Sequence, residues 1–255
     1  MRSIGMHYPL INSSNQRPYH FIHAYTQYLE SVLNIRIPVT EFKGDIYISK
    51  DEASWINQVQ EECGYCGPFW LINAGGKYDF TAKWWSPASY QAIVDHFAGR
   101  VQFIQCGELT HWHPRLRGVM DLVGKTSIRQ FVRLIYHAQG VICPVTFAMH
   151  LCAAVPLKED RLRPCIVIAG GREPPHWESY PGHQYLHTIG MLPCCATGGC
   201  RKSRCQKIPD GDKKNFANLC ERPVPITDDL CIPQCMHLIK PNDVIQLMEK
   251  YLNAG

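Results

Sequence analysis

The sequence has no long, uninterrupted hydrophobic segment and no strong excess of charge. Its longest apolar run, residues 141–157, contains two prolines, a threonine and a histidine, and it is shorter than a membrane-spanning helix requires. Residues 1–19 lack the apolar segment of a secretory signal. The net charge of +4, with histidine neutral, is too small to favour nucleic acid as a partner. These absences predict a cytoplasmic protein with no transmembrane segment and no nucleic-acid partner.

Cysteine, by contrast, is abundant, with 13 in 255 residues. A chain of this length can form one large or two small domains, and clustered cysteines in a cytoplasmic protein indicate metal binding rather than disulfides. Cys63 and Cys66 are interpreted as free thiols at a turn. Seven more cysteines lie between Cys194 and Cys235. The remaining four lie in apolar segments and are interpreted as small core residues: Cys106, Cys143, Cys152 and Cys165.

The first 62 residues show two helical patterns and one strand pattern. Apolar spacing predicts a helix over residues 19–33 that ends at Asn34, and alternation predicts a strand over residues 45–48. Ser49, with Glu52 at the capping-box position, predicts a helix over residues 50–62. These elements cannot close a core by themselves, so no complete domain is expected before residue 60.

From residue 68 onwards, short apolar strands alternate with helices. The strands are predicted over residues 69–73, 101–106, 119–123, 141–143 and 165–169. Because each strand is apolar throughout, the pattern indicates an α/β fold whose parallel sheet is covered by helices on both faces. Ligands of such sheets bind beyond the carboxyl ends of the strands.

Polar or glycine residues follow each of these strands. The candidates for ligand contact are Gly75, Gly76, Lys83, Glu108, Lys125, Thr126, Thr146, His150, Gly170, Gly171 and Arg172. Residues 140–154 in particular indicate a strand, a tight loop and a helix whose first amide groups and positive dipole end suit a phosphate. The alternative is a buried strand–helix unit in which His150 is a core residue without a ligand.

Four motifs, in order, resemble one family of enzymes. They are Asn73-Ala-Gly-Gly76 followed by Lys83-Trp-Trp-Ser-Pro87, then Phe103-Ile-Gln-Cys-Gly-Glu108, Asp121-Leu-Val-Gly-Lys-Thr-Ser127 and Pro144-Val-Thr-Phe-Ala-Met-His150. The sequence is similar here to the ADP-heptose heptosyltransferases of glycosyltransferase family 9, which have the GT-B fold. The resemblance covers residues 68–190, with a closing helix near residues 241–252. It implies that a Rossmann-like domain binds an ADP-sugar donor, ADP-heptose in particular, for transfer to a glycan or protein acceptor.

The resemblance also implies roles for individual residues. Lys83 would pair with the donor phosphates, Glu108 would lie near the ribose or base, and Thr126 would lie by the adenine. Thr146 and the following helix amides would contact the diphosphate, with His150 close by. Two positions depart from the family pattern, because Val145 and Phe147 stand where the family usually has an acidic residue and a glycine.

The resemblance further implies that most of an amino-terminal, acceptor-side domain is missing. Residues 1–62 correspond only to its remnant, so no catalytic base can be identified, and a homo-oligomer or a partner that supplies the missing half is expected. Residues 63–192 would form the nucleotide-sugar-binding domain, residues 193–239 a metal-binding segment, and residues 240–255 a closing helix. The alternatives to a transferase are a non-catalytic nucleotide-sugar-binding module or split subunit, and a metal-dependent regulatory or redox protein on a borrowed fold.

The cysteine-rich tail has little apolar content between residues 196 and 229, so hydrophobic burial alone cannot order it. Four thiolates on one metal ion would order it, and tetrahedral thiolate coordination favours zinc or iron in a structural role. Spacing alone suggests the ligands Cys195, Cys200, Cys220 and Cys235, with Cys194 as a substitute. The alternative is free thiols in a loop or a redox disulfide. The tail also resembles the cysteine-rich iron finger of bacterial autotransporter heptosyltransferases.

Two further clusters of histidine and arginine residues lie in the predicted loops. His111 and His113 are interpreted as residues of a surface loop, and contact with a ligand or a metal ion is the alternative. Arg172 and His176 follow a strand end, where a contact with the donor phosphate or sugar is one interpretation. Trp84 and Trp85 are interpreted as packing residues.

Overall fold

A computed structural model describes residues 18–38, 42–54 and 58–253. Its centre is a six-stranded sheet in the order β3-β2-β1-β4-β5-β6, and every neighbouring pair is parallel. The strands are β1 (Phe69–Ile72), β2 (Gln102–Gln105), β3 (Met120–Asp121), β4 (Gly140–Pro144), β5 (Cys165–Gly170) and β6 (His183–His187). The predicted α/β fold is therefore confirmed. This strand order is that of doubly wound nucleotide-binding sheets.

Helices cover both faces of the sheet, and one hairpin lies outside it. The helices are α1 (Phe21–Leu33), α2 (Lys50–Ser54), α3 (Gln58–Cys63), α4 (Pro87–His96), α5 (Ile128–His137), α6 (Phe147–Ala154), α7 (Pro175–Glu178), α8 (Lys214–Ala217), α9 (Gln234–Leu238) and α10 (Pro241–Leu252). The antiparallel hairpin consists of β7 (Pro223–Thr227) and β8 (Leu230–Pro233). Short 3-10 turns occupy Tyr78–Lys83, Lys158–Asp160 and Pro193–Cys195.

The core has two halves because successive strand residues point to opposite faces of the sheet. Leu71 and Val141 face α5 and α6, and they pack in one cluster with Met149. Trp70 and Ile142, one position away, face α4, α9 and α10. Both clusters are shielded from water, and full burial of one such side chain stabilises a fold by about 1.5–3 kcal/mol. This two-sided burial explains why the strands read as continuous apolar runs.

The structure confirms the capping signals of the first helices and corrects one strand. Asn34 adopts a left-handed conformation after α1, with φ 51°. At α2 the Ser49 amide donates to Glu52 Oε2 at 2.9 Å, and the Glu52 amide donates to Ser49 Oγ at 3.1 Å. The predicted helix over 50–62 is described as α2 and α3, and residues 55–57 between them lie outside the described residues. The strand predicted over residues 45–48 is wrong: Ile46 and Ile48 pack against the core, but no strand pairs with this segment.

A search for long apolar helices in the described residues finds none that could cross a bilayer.

Candidate functional site

A cavity of about 640 Å³ lies beyond the carboxyl ends of β1 to β4. Chain connections run from β1 towards one sheet edge and from β4 towards the other, so the crevice lies at the point where the strand order reverses. The cavity is large enough for a nucleotide-sized ligand. Its lining includes all five residues to which the sequence assigned donor contacts: Lys83, Glu108, Thr126, Thr146 and His150. The structure brings these residues together, whereas their individual roles remain predictions.

One wall of the cavity is a glycine loop fastened to the His111–His113 segment. The Gly76 amide donates to the Trp112 carbonyl at 2.8 Å, and the Trp112 amide donates back to the Gly76 carbonyl at 3.1 Å. Gly75 has φ +94°, and a Cβ there would lie 2.0 Å from the Trp112 carbonyl oxygen. Only glycine fits this approach without strain. His111 and His113 lie in a loop, as predicted, and that loop lines the cavity, which is the position that the alternative of ligand contact requires.

A second wall is the start of α6. Thr146 is its extended N-cap residue, but its side chain makes no capping bond, and its buried Oγ1 has no hydrogen-bond partner within the described residues. The first amide groups of a helix likewise lack an intrahelical acceptor. Both Val145 and Phe147 line the cavity, but Val145 is 3% exposed and packs in the core, whereas Phe147 is 52% exposed. The two departures from the family pattern therefore differ in effect, because only Phe147 presents a large side chain to the site.

Lys83 is held at the cavity by two oxygen atoms. Its Nζ lies 3.1 Å from the Val145 carbonyl oxygen and 3.1 Å from Glu173 Oε2, and its side chain is 21% exposed. Burial lowers the pKa of Lys83, and the Glu173 carboxylate opposes that shift. Burial would raise the pKa of Glu173, but Lys83 and Arg172 hold it below its usual range. Lys83 is therefore a fixed cation whose position depends on a buried carboxylate.

Arg172 lies behind this pair and not in the cavity lining. It forms an ion pair with Glu173 and donates from Nε to the Lys202 carbonyl at 2.7 Å. His176 is exposed and likewise lies outside the lining. The interpretation that these two residues contact the donor is not supported by their positions. Trp84 and Trp85 are buried, which confirms their packing role.

His150 is the neutral member of the site. Its Nδ1 lies 2.8 Å from the Tyr180 hydroxyl, and its Nε2 lies 3.9 Å from Glu178 Oε2. Burial, with the Lys83 ammonium adding to it, lowers the pKa of His150 to about 4. Burial and the Glu173 carboxylate raise the pKa of Glu178 to about 7. At neutral pH His150 can therefore form hydrogen bonds but adds no charge to the cavity.

The acidic partners Glu173 and Glu178 were missed in the sequence. They lie beyond β5, whose glycine-rich end was noted, but their pairing with Lys83 and His150 arises from tertiary folding. A carboxylate that follows Arg172 directly was the one available signal.

A second, smaller cavity lies among the tail cysteines. Its lining includes the four predicted ligands and their substitute: Cys195, Cys200, Cys220, Cys235 and Cys194. Three cations, Arg172, Lys202 and Arg222, line it as well. Several thiolates close together repel one another, and nearby positive charges reduce that repulsion, so the three cations suit a thiolate metal site.

Backbone amide groups also point to these sulfur atoms. The Arg222 amide donates to Cys220 Sγ at 3.4 Å, and the Lys202 and Gly171 amides donate to Cys200 and Cys235. Amide hydrogen bonds stabilise a thiolate and fix its direction. The Cys205 thiol hydrogen-bonds to Cys220 and lowers the pKa of Cys220 to about 7.

These sulfur atoms are not yet at coordination spacing. In the described part of the chain, the one group of three or more ligand atoms all within 4.8 Å of one another lies elsewhere, at Cys152, Cys165 and His183. The donor chemistry of the tail fits a metal ion, and its ligand assignment stays a prediction.

Comparisons with known proteins give a consistent result. Residues 9–180 match the family model of glycosyltransferase family 9 (heptosyltransferase). The fold is similar to that of a family 9 glycosyl transferase from Veillonella parvula, with TM-score 0.58 and 12% identity over 93% of this chain and 61% of that chain. It is also similar to ADP-heptose lps heptosyltransferase II of E. coli, with TM-score 0.52 and 13% identity over 86% of this chain and 56% of that chain.

A weaker similarity, with TM-score 0.47 and 14% identity over 86% of this chain and 50% of that chain, is to TibC, an iron-containing dodecameric glycosyltransferase of enterotoxigenic E. coli. Comparison with curated proteins finds no match. The chain spans between 50% and 61% of the length of these solved structures. The family model covers well over half of the sequence, and the four motifs lie within the matched residues. The chain therefore belongs to glycosyltransferase family 9, the heptosyltransferase family, as its motifs predict.

Proposed function

We propose that this chain binds an ADP-sugar, ADP-heptose in particular, and transfers the heptose or a related sugar to a glycan or protein acceptor. The observation that carries the proposal is the convergence of Lys83 and the start of α6 on one cavity. An ammonium group and helix amides together form an anion site suited to a diphosphate.

Sugar transfer breaks the bond between the anomeric carbon and the diphosphate oxygen, and it forms a bond from that carbon to the acceptor oxygen. Negative charge then accumulates on the departing ADP, and the acceptor hydroxyl gives its proton to a base. Lys83 and the α6 amides would stabilise the developing charge, and the unpartnered Thr146 hydroxyl would donate to a phosphate oxygen. Because Lys83 is fixed by Glu173, little rearrangement would be needed as the charge develops.

The part of the cavity beyond β2 and β3 suits the nucleoside. Glu108, after β2, would offer a carboxylate to ribose hydroxyl groups, and Thr126, after β3, would offer a hydroxyl to the base. Ile128, which is 71% exposed, and Phe131 add apolar surface to the lining, against which a base could lie. The lining thus combines charged groups for the diphosphate with apolar side chains for adenine.

The transfer proposal is tested by ADP release from ADP-heptose. Lys83→Met keeps the length of the side chain but removes its charge, so we expect release to fall by about 10²–10³-fold. Lys250→Met on the exposed side of α10 is the matched control and should leave the rate unchanged. Equal rates in the two variants would contradict the assignment of Lys83.

A second candidate is nucleotide-sugar binding without transfer, in a module or split subunit. The observation that favours it is that Glu108 is the one carboxylate among the described residues that line the cavity, and the sequence has no identified base. Saturable binding of ADP-heptose with no ADP release above the buffer rate would support this candidate. ADP release that requires Lys83 would reject it.

We also propose that Cys195, Cys200, Cys220 and Cys235 hold one structural iron or zinc ion. The support is their common cavity, the amide groups directed at three of the sulfur atoms, and the three surrounding cations. A site of four thiolates has no open position, so its role would be to order the tail. Cys220→Ser should lose one metal equivalent per chain and lower the melting temperature, whereas Cys63→Ser, an exposed thiol, should change neither. A metal content that Cys220→Ser leaves unchanged would contradict this proposal.

A further inference from the structure

A second group of sulfur and imidazole side chains lies on the opposite face of the sheet from the tail cysteine Cys235. Cys165 is the first residue of β5, His183 is the first residue of β6, and the two are paired in register. Cys152 approaches them from α6, and one ligand atom from each of the three residues lies within 4.8 Å of the other two. These residues come from three separate elements, so the fold itself assembles the cluster.

The imidazole of His183 is only weakly satisfied by the protein around it. Both ring nitrogens are shielded from water, and within the described residues the side chain that hydrogen-bonds to the ring is the thiol of Cys152, a weak partner. Buried polar atoms are nearly always paired, because an unpaired one costs about 1–3 kcal/mol. A metal ion would use the lone pair of one ring nitrogen directly.

A buried guanidinium beside the cluster has no carboxylate partner among the described residues. Arg163 is 7% exposed and donates to the backbone carbonyls of Cys152, Val155 and Pro156. It forms no salt bridge with a carboxylate in the ranges that the structure describes. An isolated buried cation is costly, so a negative group close to it would stabilise the fold.

A fourth ligand is available on β4. The Cys143 thiol hydrogen-bonds to that of Cys165, and both belong to the core cluster that contains Cys152. A divalent ion with three thiolates and one imidazole carries a net charge of about −1, which would balance Arg163. Tetrahedral zinc holds sulfur at about 2.3 Å and nitrogen at about 2.0–2.1 Å. The ligand atoms of Cys152, Cys165 and His183 would close inward from their spacing of up to 4.8 Å, and Cys143, which lies outside that group, would turn towards the ion.

We propose that Cys143, Cys152, Cys165 and His183 form a structural zinc site, separate from the tail cysteines. When zinc binds, the three thiols release their protons to water, and the imidazole binds through one nitrogen. The three cysteines were interpreted from sequence as core residues, and this proposal replaces that interpretation. Cys152 lies in α6, and the first residues of α6 line the donor cavity. Zinc would therefore fix this helix to β5 and β6.

The test measures zinc per chain in the full-length protein after incubation with zinc and removal of the excess. Cys200→Ser combined with Cys220→Ser disables the tail cluster, and we expect one zinc to remain. Adding His183→Asn to this background should remove it. Adding His187→Asn, at the exposed end of the same strand, should leave it in place. Absence of zinc from the doubly substituted protein, or its retention in the His183→Asn variant, would overturn the proposal.

A second measurement covers the case in which the doubly substituted protein does not fold. The protein with its tail intact is titrated with Co²⁺, and the sulfur-to-cobalt charge-transfer band is followed. His183→Asn should lower the bound cobalt by one equivalent relative to wild type. Cys106→Ser, which removes another fully buried thiol, should not. Equal cobalt in wild type and His183→Asn would refute the second site while leaving the tail site and the transferase proposal untouched.

Discussion

Gly75 controls the shape of the cavity wall through its backbone. Its φ of +94° and its 2.0 Å clearance for a Cβ both exclude a side chain. Gly99 has a similar φ of +76°, but a Cβ there would meet nothing within 4 Å. Substitution of Gly75 and of Gly99 therefore separates the energetic cost of backbone strain from the cost of a steric clash.

We expect Gly99→Ala to lower the free energy of unfolding by about 1–2 kcal/mol, because an alanine in the left-handed region is strained. Gly75→Ala should cost about 1–3 kcal/mol more, because its Cβ meets the Trp112 carbonyl oxygen. Urea denaturation of both variants measures the difference. Equal losses would show that the Gly75–Trp112 approach does not constrain the loop.

His20 makes stability depend on pH. It is buried at the start of α1, where its Nδ1 accepts from the Ile22 amide at 3.3 Å. Burial lowers the pKa of His20 from 6.5 to about 4, so between these values the unfolded chain binds the proton and the folded chain does not. The contribution of His20 to the free energy of unfolding is therefore fully present above about pH 6.5, and it is lost as the pH falls towards 4.

His20→Asn keeps a helix-capping acceptor but removes this titration. We expect the melting temperature of the variant to fall less than that of wild type between pH 7 and pH 4.5. The exposed His237→Asn should follow the wild-type curve. A His20→Asn curve parallel to wild type would contradict this assignment.

At the scale of elements, α10 closes the sheet face that α4 and α9 cover. Met248 of α10 is fully buried in that cluster, while Gln246, two residues earlier, is exposed. Met248→Ala should lower the free energy of unfolding by about 2–5 kcal/mol, because the cavity it leaves can only partly collapse. Gln246→Ala should change it by less than about 0.5 kcal/mol in the same denaturation experiment. A small effect of Met248→Ala would mean that α10 is not part of the core.

Most elements that could be predicted from sequence are buried on both sides. β1, β2, β4 and β5 are mainly apolar because helices cover both faces of the sheet. β3 is the exception: it is a two-residue edge strand with Asp121 exposed, and it was predicted from the apolar residues around Asp121, of which Leu122 is buried. β6, with sequence His-Gln-Tyr-Leu-His, was missed because it is a half-buried edge strand with one neighbour. The β7–β8 hairpin was missed because prolines interrupt its pattern. Residues 45–48 alternate in the same way as a strand, but only because two isoleucines pack on the core.

At the scale of the whole molecule, the convergence of the donor-site residues follows from topology. Parallel strands bring their carboxyl ends to one edge, so residues distant in sequence, such as Lys83, Glu108 and Thr146, come to line one cavity. The Lys83–Glu173 pair and the His111–His113 wall could not be predicted in this way. They depend on how loops fold back on one another, which strand order does not determine.

We expect the cavity beyond β1 to β4 to bind the diphosphate of an ADP-sugar through Lys83. Isothermal titration calorimetry with ADP tests it most directly, on wild type, Lys83→Met and the Lys250→Met control. Wild type and Lys250→Met should each bind one ADP per chain saturably. Lys83→Met should bind ADP with an affinity about tenfold or more lower, because a charge-assisted contact of about 1.5–3 kcal/mol is lost. No ADP binding by the folded wild-type protein, or equal affinity in all three proteins, would contradict it.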